Sequence, residues 1–212
     1  PSVGMIPEGG AYFVWEGGAS GFHRVHYRVI NSSGVFISDE KFATTSNSGE
    51  QTEPSLVVLK NGSAILSWTD YLSDGSHKGV SARIIGKDGQ PLTEPFRLNQ
   101  FNAGNQHKSK VVALPGGGFA AVWISDQQSN QKSLDIVGRI FSADGVPLTD
   151  EVVLAPEGVN ANPDIALAGN NLVVAWEQLD LQQKQNRWDV AIRSFNLNLE
   201  PLSEASLANI KL

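Results

Sequence analysis

One sequence pattern occurs four times along this chain. Four apolar runs each end in a tryptophan, at intervals of 53, 55 and 53 residues: Trp15, Trp68, Trp123 and Trp176. Downstream of each tryptophan, an arginine lies in a second apolar run, at intervals of 55, 56 and 54 residues: Arg28, Arg83, Arg139 and Arg193. A fixed period of this length indicates a repeat architecture, in which each copy is one supersecondary unit. The copies span residues 1–53, 54–108, 109–162 and 163–212.

Each copy has the sequence pattern of four short strands. The first is a continuous apolar run, as expected of a strand buried on both faces: residues 3–6, 56–59, 111–114 and 165–167. A turn rich in Gly and Asn leads to the strand that ends in Trp, and the third strand carries the Arg. The fourth strand is polar and opens with Pro-Leu in three copies, which places it at a sheet edge, because proline lacks the N–H donor. We therefore predict an all-β fold, a β-propeller of four four-stranded blades or four blades of a larger propeller, as one repeat domain over residues 1–212.

The composition excludes several classes of protein. A chain of 212 residues is long enough to bury a core without covalent staples, and the absence of cysteine excludes disulfides and thiolate metal sites. No apolar run reaches the length of about 18 residues that a membrane span needs, so we expect no membrane insertion. A net charge of −6 with only 16 Lys plus Arg argues against nucleic acid as a partner.

The string GNQHKSKVVALPGGGFAAVWISD, followed by GRIFSADGVPLTDEVVL, resembles a known repeat. Repeats of about 50 residues with this pattern occur in large secreted bacterial proteins of the RTX and adhesin type. The resemblance covers the whole chain and is strongest over residues 54–155. It implies a propeller-like fold and an extracellular or cell-surface location, but no activity. The glycine-rich nonapeptide that binds calcium in RTX proteins is missing, so the resemblance does not imply calcium.

The loops between the second and third strands are candidates for ligand binding. Their lengths vary between copies, and variable loops on a rigid scaffold are common binding sites, although unconstrained loops would vary too: residues 16–22, 69–77, 124–133 and 177–187. Trp188 with Asp189, in copy four alone, and Tyr71 with Asp70 and Asp74 are aromatic and acidic groups of the kind that form a ligand platform. The alternative interpretation is that these aromatic and acidic groups are ordinary strand residues with no role in binding. We interpret the four recurrent tryptophans as core and not as sugar-stacking surfaces.

The sequence gives no metal site and no cofactor. The segment from Asp70 to Asp74 offers oxygen ligands for calcium but lacks the spacing of an EF-hand, so calcium stays possible without a defined site. His23 and His26 have no recurrent third ligand nearby.

Catalytic propellers bring acids or arginines from several blades together near the axis. The equivalent positions at the start of the inner strands hold a single acid: Ser2, Ser55, Lys110 and Asp164. The Asp-box of sialidase blades is not matched either. We therefore predict a secreted or cell-surface module that is not an enzyme and serves as a binding or structural scaffold. Its partners would be protein or carbohydrate at a surface, or a second chain that completes a larger propeller. A glycan-binding lectin and a sialidase-like glycoside hydrolase stay open as alternatives.

The recurrent arginines are given a structural role by the hairpin that follows each of them. If Asp144-Gly145 is a two-residue turn, Arg139 lies opposite Asp150. The same rule places a carboxylate opposite each of the other three arginines: Arg28 with Asp39, Arg83 with Glu94, and Arg193 with Glu204. We predict cross-strand ion pairs at these four places.

Overall fold

The structure, a computed structural model, describes residues 1–44, 49–71, 77–126, 128–129, 133–155, 158–180 and 188–209. These residues form four antiparallel sheets of four consecutive strands each and contain no helix, hence none that could span a membrane. Blade 1 consists of β1 (Ser2–Met5), β2 (Ala11–Gly17), β3 (Arg24–Ile30) and β4 (Lys41–Phe42). Blade 2 consists of β5 (Gln51–Val58), β6 (Ala64–Tyr71), β7 (Lys78–Ile85) and β8 (Phe96–Arg97).

The second half of the chain repeats this order. Blade 3 consists of β9 (Gln106–Ala113), β10 (Phe119–Asp126), β11 (Leu134–Phe141) and β12 (Val152–Ala155). Blade 4 consists of β13 (Asn160–Ala168), β14 (Asn171–Leu179), β15 (Trp188–Phe195) and β16 (Ser206–Leu207). The architecture predicted from the repeat, an all-β propeller of four four-stranded blades, is confirmed.

Three hydrophobic cores hold the blades together, one at each junction between consecutive blades. The first joins Tyr12 and Tyr27 of blade 1 to Trp68 of blade 2. The second contains Ile65 of blade 2 and Trp123 of blade 3, and the third contains Val122 of blade 3 and Trp176 of blade 4. Each interior blade thus buries both of its faces. Among the described residues no fourth core joins blade 4 to blade 1, so the four blades form an open arc.

The recurrent tryptophans belong to these junctions. Trp68 and Trp123 are fully buried and Trp176 is nearly so. Trp15 is only half-buried, because it lies on the face of blade 1 that no other blade covers, where it stacks on His26 with the ring centroids 5.6 Å apart.

The inner strands of blades 2 to 4 begin three residues before our repeat boundaries and contain a bulge at the boundary. Pairing with the second strand shifts between Thr52 and Ser55, and equivalent shifts occur in the next two blades. Each bulge contains a residue other than glycine with a left-handed backbone: Glu53 (φ 55°), Lys108 (φ 56°) and Asn162 (φ 47°). An extra residue interrupts the ladder here and turns its side chain out of the strand's regular alternation.

The hairpin between the third and fourth strands differs by one residue from our prediction. Phe141 pairs with Pro147, and Gly145, with a φ of 81°, closes a three-residue loop where we expected a two-residue turn. The same register recurs in the other blades. A loop that ends in one positive-φ residue is a common alternative to the two-residue turn. In blade 4 that residue is Leu199 (φ 64°), whose side chain is fully buried in the third core.

This register places a hydroxyl residue opposite each arginine, where we predicted an acid. The Nε of the arginine donates to the backbone carbonyl of the Ser or Thr: Arg28 to Ser38, Arg83 to Thr93, Arg139 to Thr149 and Arg193 to Ser203, at 2.7–3.3 Å. The Ser or Thr hydroxyl in turn accepts from the N–H that follows the arginine, as in Ile84 N to Thr93 Oγ1 at 3.1 Å.

The predicted ion pairs are consequently present in two blades and missing in the other two. Arg83 lies 3.8 Å from Glu94, and Arg193 lies 3.9 Å from Glu204. Arg28 with Asp39 and Arg139 with Asp150 form no ion pair among the described residues. The one-residue shift displaces the acid in every blade, and only the longer glutamates, Glu94 and Glu204, still lie within 4 Å of their arginines. Arg28 instead lies over the Phe36 ring, 3.6 Å from its centroid.

Candidate active site

The three bulges lie side by side at the axis and line a cavity of about 400 Å³. Its walls also hold the residues that follow each bulge residue, including Lys110 and Asp164. A non-glycine residue in the left-handed region is strained, and such strain concentrates at functional sites. Three such residues on one cavity make it the candidate active site.

Glu53 lies on the wall of this cavity and is hydrogen-bonded to residues of three blades. Its backbone N–H donates to Glu16 Oε2 of blade 1 at 2.9 Å. Its Oε2 accepts from Thr69 Oγ1 at 2.7 Å and from the backbone N–H of Lys108 at 3.2 Å. Two donors on one oxygen fix the orientation of the carboxylate, so the geometry of Glu53 is set before any ligand binds.

The polar chain continues to the fourth blade. Lys108 Nζ donates to Asn162 Oδ1 at 2.6 Å, and Asn162 Nδ2 donates to Glu177 Oε2 at 2.8 Å. Glu16 and Glu177 occupy equivalent positions, each directly after a recurrent Trp. Glu53 and Asp164 are the carboxylates on the cavity wall, and Glu16 and Glu177 lie at the two ends of the hydrogen-bonded chain.

A second cavity, of about 560 Å³, lies beside the first, between blades 1 and 2. Glu50 on its wall accepts from the Gly21 N–H at 3.0 Å and lies 2.6 Å from His23 Nδ1. The hydrogen bond with His23 lowers the pKa of the Glu50 carboxyl, so this group is ionised at neutral pH. His23 also lies 3.7 Å from Glu16, the residue that accepts from the backbone N–H of Glu53.

His107 lies next to the bulge of blade 3. Burial lowers the pKa of this imidazole, although the charges of Glu53 and Asp126 act in the opposite direction. His107 Nε2 is 3.9 Å from Asp126 Oδ1. The imidazole is therefore neutral at neutral pH and can serve as a hydrogen-bonding group beside the cavity.

The residues that we selected from the sequence as a ligand platform do not form one site. Tyr71 lines the cavity between blades 1 and 2, where Lys78 Nζ lies 4.8 Å from its ring centroid. Asp70 is buried and accepts from Trp68 Nε1 at 3.1 Å. Asp74 lies outside the described residues.

Trp188 and Asp189 lie in blade 4, and neither lines the cavity that contains Tyr71. Trp188 is 41% exposed on the uncovered face of that blade. Asp189 is buried and accepts from Asn209 Nδ2 at 2.9 Å. The described residues contain no cluster of three or more groups that could hold a metal ion.

Sequence reasoning missed the bulge residues because it started the inner strands too late. Ser55, Lys110 and Asp164 follow the bulge residues by two positions, so a single acid was counted and Glu53 was overlooked. The available signal was proline: Glu53-Pro54 and Asn162-Pro163 interrupt apolar strands, and proline within a strand marks an edge or a bulge.

The sequence matches no protein-family model, and no curated protein matches it. Solved structures do share the fold. An arabinofuranosidase from Lactobacillus brevis is 11% identical with a TM-score of 0.60, over 97% of this chain and 71% of the enzyme. An ulvan lyase bound to a glucuronate-containing saccharide is 14% identical with a TM-score of 0.63, over 92% of this chain and 51% of the lyase.

A protein of unknown function from Dyadobacter fermentans is 16% identical with a TM-score of 0.64, over 90% of this chain and 52% of that protein. The chain thus spans about half the length of two of these three neighbours. The neighbours of known activity contradict our prediction of a non-catalytic scaffold, because polysaccharide-acting enzymes use the fold that this chain adopts.

Proposed function

We propose that this chain is a polysaccharide-processing propeller that binds a glycan in the axial cavity and hydrolyses a glycosidic bond there. The observation that carries the proposal is the Glu53 carboxylate, strained at a bulge and oriented by Thr69 and Lys108. Glycoside hydrolysis uses two carboxyl groups on opposite sides of the scissile bond, one as acid and one as base or nucleophile. Glu53 is our candidate for the base or nucleophile, because it is a cavity-lining carboxylate whose orientation two donors fix.

The second carboxyl group would come from an end of the polar chain. Glu16 and Glu177 are the two candidates, and both lie within the hydrogen-bonded chain that includes the Glu53 backbone or the Asn162 side chain. Glu50 is a poorer general acid, since its lowered pKa keeps it ionised.

Substitution of these glutamates tests the assignment. The parent chain is assayed on arabinan, galactan, arabinoxylan and ulvan for release of new reducing ends. We expect Glu53→Gln to lower the rate by roughly 10²- to 10⁴-fold, and one of Glu16→Gln and Glu177→Gln to have an effect of similar size. Glu204→Gln, at a carboxylate that is 99% exposed on the blade rim, is the matched control.

The binding of the same polysaccharides separates hydrolysis from lectin-like recognition. Glu53→Gln should keep its affinity for the substrate while it loses the cleavage. If the parent chain binds one of these polysaccharides but cleaves none of the four, the proposed hydrolase activity is wrong and a lectin is the better description.

Polysaccharide lyase activity is a second candidate function, and two lysines on the cavity wall favour it. Lys108 and Lys110 line the same cavity as Glu53, and their charge would neutralise the carboxylate of a uronic acid. A lyase creates an unsaturated sugar end that absorbs ultraviolet light, whereas a hydrolase does not, so the product spectrum distinguishes the two reactions.

Secretion or surface display fits this function. Polysaccharides are too large to enter a cell intact, and the repeat resembles those of secreted bacterial proteins. We therefore propose an extracellular or cell-surface location with carbohydrate as the partner. Fractionation of the producing cells would test the location.

A further inference from the structure

The larger cavity, between blades 1 and 2, has no part in the proposed hydrolysis, yet its wall has the composition of a ligand site. Phe22 lines this cavity and is 77% exposed, the largest exposed fraction of any large apolar side chain in the described part of the chain. A single exposed apolar side chain needs no explanation. An exposed aromatic ring on a concave surface, beside fixed polar groups, is typical of a small-molecule site.

The loop that carries Phe22 is anchored on both sides of it. The Gly21 N–H donates to Glu50 Oε1 at 3.0 Å, and His23 Nδ1 lies 2.6 Å from the same oxygen. The Phe22 N–H donates to the Ala19 carbonyl at 2.9 Å, which closes a turn. Phe22 therefore lies between two residues that are both hydrogen-bonded to Glu50, and its ring is kept on the cavity wall although it is hardly buried.

Glu50 offers the cavity a fixed acceptor. Both hydrogen bonds end on Oε1, so Oε2 keeps lone pairs for a donor from a ligand. Lys78 of blade 2 lines the same cavity, with its Nζ 4.8 Å from the centroid of the Tyr71 ring. The formal charges of Glu50 and Lys78 cancel, which favours a ligand that is polar but uncharged.

A sugar residue has this combination of surfaces. One side of a sugar ring presents C–H groups that pack on an aromatic ring, and its edge presents hydroxyl groups that donate to a carboxylate or accept from an ammonium group. A purely apolar ligand would instead remove water from Glu50 and Lys78 without replacing the lost hydrogen bonds, which is unfavourable.

The cavity also lies within reach of the candidate active site. Glu50 precedes Glu53 by three residues, which span at most about 11 Å of extended chain. His23, the partner of Glu50, lies 3.7 Å from Glu16, and Glu16 accepts from the Glu53 backbone N–H at 2.9 Å. A short oligosaccharide spans such a distance.

We propose that the cavity between blades 1 and 2 is a distal subsite, which binds an uncharged sugar residue of the same polysaccharide chain that is cleaved in the axial cavity. The Phe22 ring stacks on the sugar, and Glu50 Oε2 accepts from a hydroxyl group. The inference rests on the proposed function for the identity of the ligand, since one chain occupies both cavities. It predicts a preference for long chains, because a disaccharide in the axial cavity does not reach Phe22.

The binding of oligosaccharides of increasing length is the test. They are prepared from whichever of the four polysaccharides the parent chain binds best, and binding is measured in the Glu53→Gln background so that no ligand is consumed. Phe22→Ala should lower the affinity for long oligosaccharides by about 3- to 10-fold and leave the affinity for the disaccharide unchanged. Trp188→Ala removes an exposed aromatic side chain that lines neither cavity, and this matched control should change neither affinity.

Two further variants separate stacking from general apolar contact. Phe22→Trp keeps an aromatic ring and should keep the affinity for long oligosaccharides. Phe22→Leu keeps an apolar side chain without a flat ring and should bind as weakly as Phe22→Ala. Because Phe22 is exposed, we expect all three variants to unfold at the same urea concentration as the parent chain.

The outcomes for the subsite and for the hydrolase are separate. If Phe22→Ala binds long oligosaccharides as tightly as the parent does, the subsite is wrong, even where the axial cavity cleaves them. A parent chain that binds none of the four polysaccharides, or a leucine variant that binds as well as the tryptophan variant, would also overturn it. Binding of long chains that depends on Phe22, without any cleavage, would keep the subsite and overturn the hydrolase.

Discussion

Each recurrent arginine donates to the backbone carbonyl of a hydroxyl residue across the hairpin, and in the described residues two of the four also lie within 4 Å of an acid. Thr93 accepts from the buried Ile84 N–H with its hydroxyl and from Arg83 with its carbonyl. Glu94, in contrast, is 86% exposed and lies 3.8 Å from Arg83. An exposed ion pair contributes about 0–1 kcal/mol, while a buried donor that loses its acceptor costs about 1–3 kcal/mol.

We therefore expect Thr93→Val to destabilise the protein more than Glu94→Gln does. The valine keeps the shape of threonine but leaves the Ile84 N–H without its acceptor, at a cost of about 1–3 kcal/mol. The free energy of unfolding from urea titrations is the measurement. Equal effects of the two substitutions would show that the ion pair matters as much as the hydroxyl.

The recurrent arginines could be recognised from the sequence, but the residues to which they are hydrogen-bonded could not. An acid follows each Ser or Thr directly, so a register error of one residue exchanged the two. The loop length decided the register, and the dipeptide Asp144-Gly145 is compatible with either a two-residue or a three-residue loop.

Among the elements, the hairpins between third and fourth strands set the spacing of neighbouring blades. The glycine that ends the loop has positive φ in blades 1 to 3, but its surroundings differ. A Cβ on Gly145 would lie 2.6 Å from the Phe96 ring of blade 2, whereas a Cβ on Gly34 would meet nothing within 4 Å.

This difference predicts unequal costs for the same substitution. Gly34→Ala should lose about 1–2 kcal/mol of unfolding free energy from the left-handed backbone alone. Gly145→Ala should lose more, because the methyl group must displace Phe96 at the contact between blades 2 and 3. Thermal and denaturant unfolding of the two variants measures the difference, and a smaller cost for Gly145→Ala would contradict the described packing.

The strands themselves were predictable, because period and apolar runs reflect burial that recurs in every blade. The bulges were not, since a bulge is a local break in the alternation on which strand prediction depends. The candidate site consists of bulge residues. The repeat pattern therefore predicted the fold correctly but gave no indication of Glu53, Lys108 and Asn162.

Across the whole molecule, the exposure of each recurrent tryptophan depends on whether another blade covers the face on which it lies. Trp123 is fully buried between blades 2 and 3, while Trp15 is half-buried on the face of blade 1 that no other blade covers. The sequence could not distinguish the two, since both occupy the same position in the repeat and only the number of neighbouring blades differs.

We expect Trp123→Ala to cost about 3–5 kcal/mol, as large-to-small substitutions in a core do. Trp15→Ala should cost clearly less, because no other blade covers the face of blade 1 on which Trp15 lies. Urea unfolding monitored by far-ultraviolet circular dichroism measures both. A Trp123→Ala variant that unfolds like the parent would contradict the burial of Trp123 at the junction.

The bulges also have a consequence for how such a protein diversifies. The backbone at each bulge is fixed by the same strand geometry, yet the three positions carry an acid, a base and an amide. Their side chains point away from the junction cores, so exchanging them changes the charge pattern of the cavity with little change in packing. A change of residue at any of the three bulges would therefore alter the charge of the cavity while the blades stay the same.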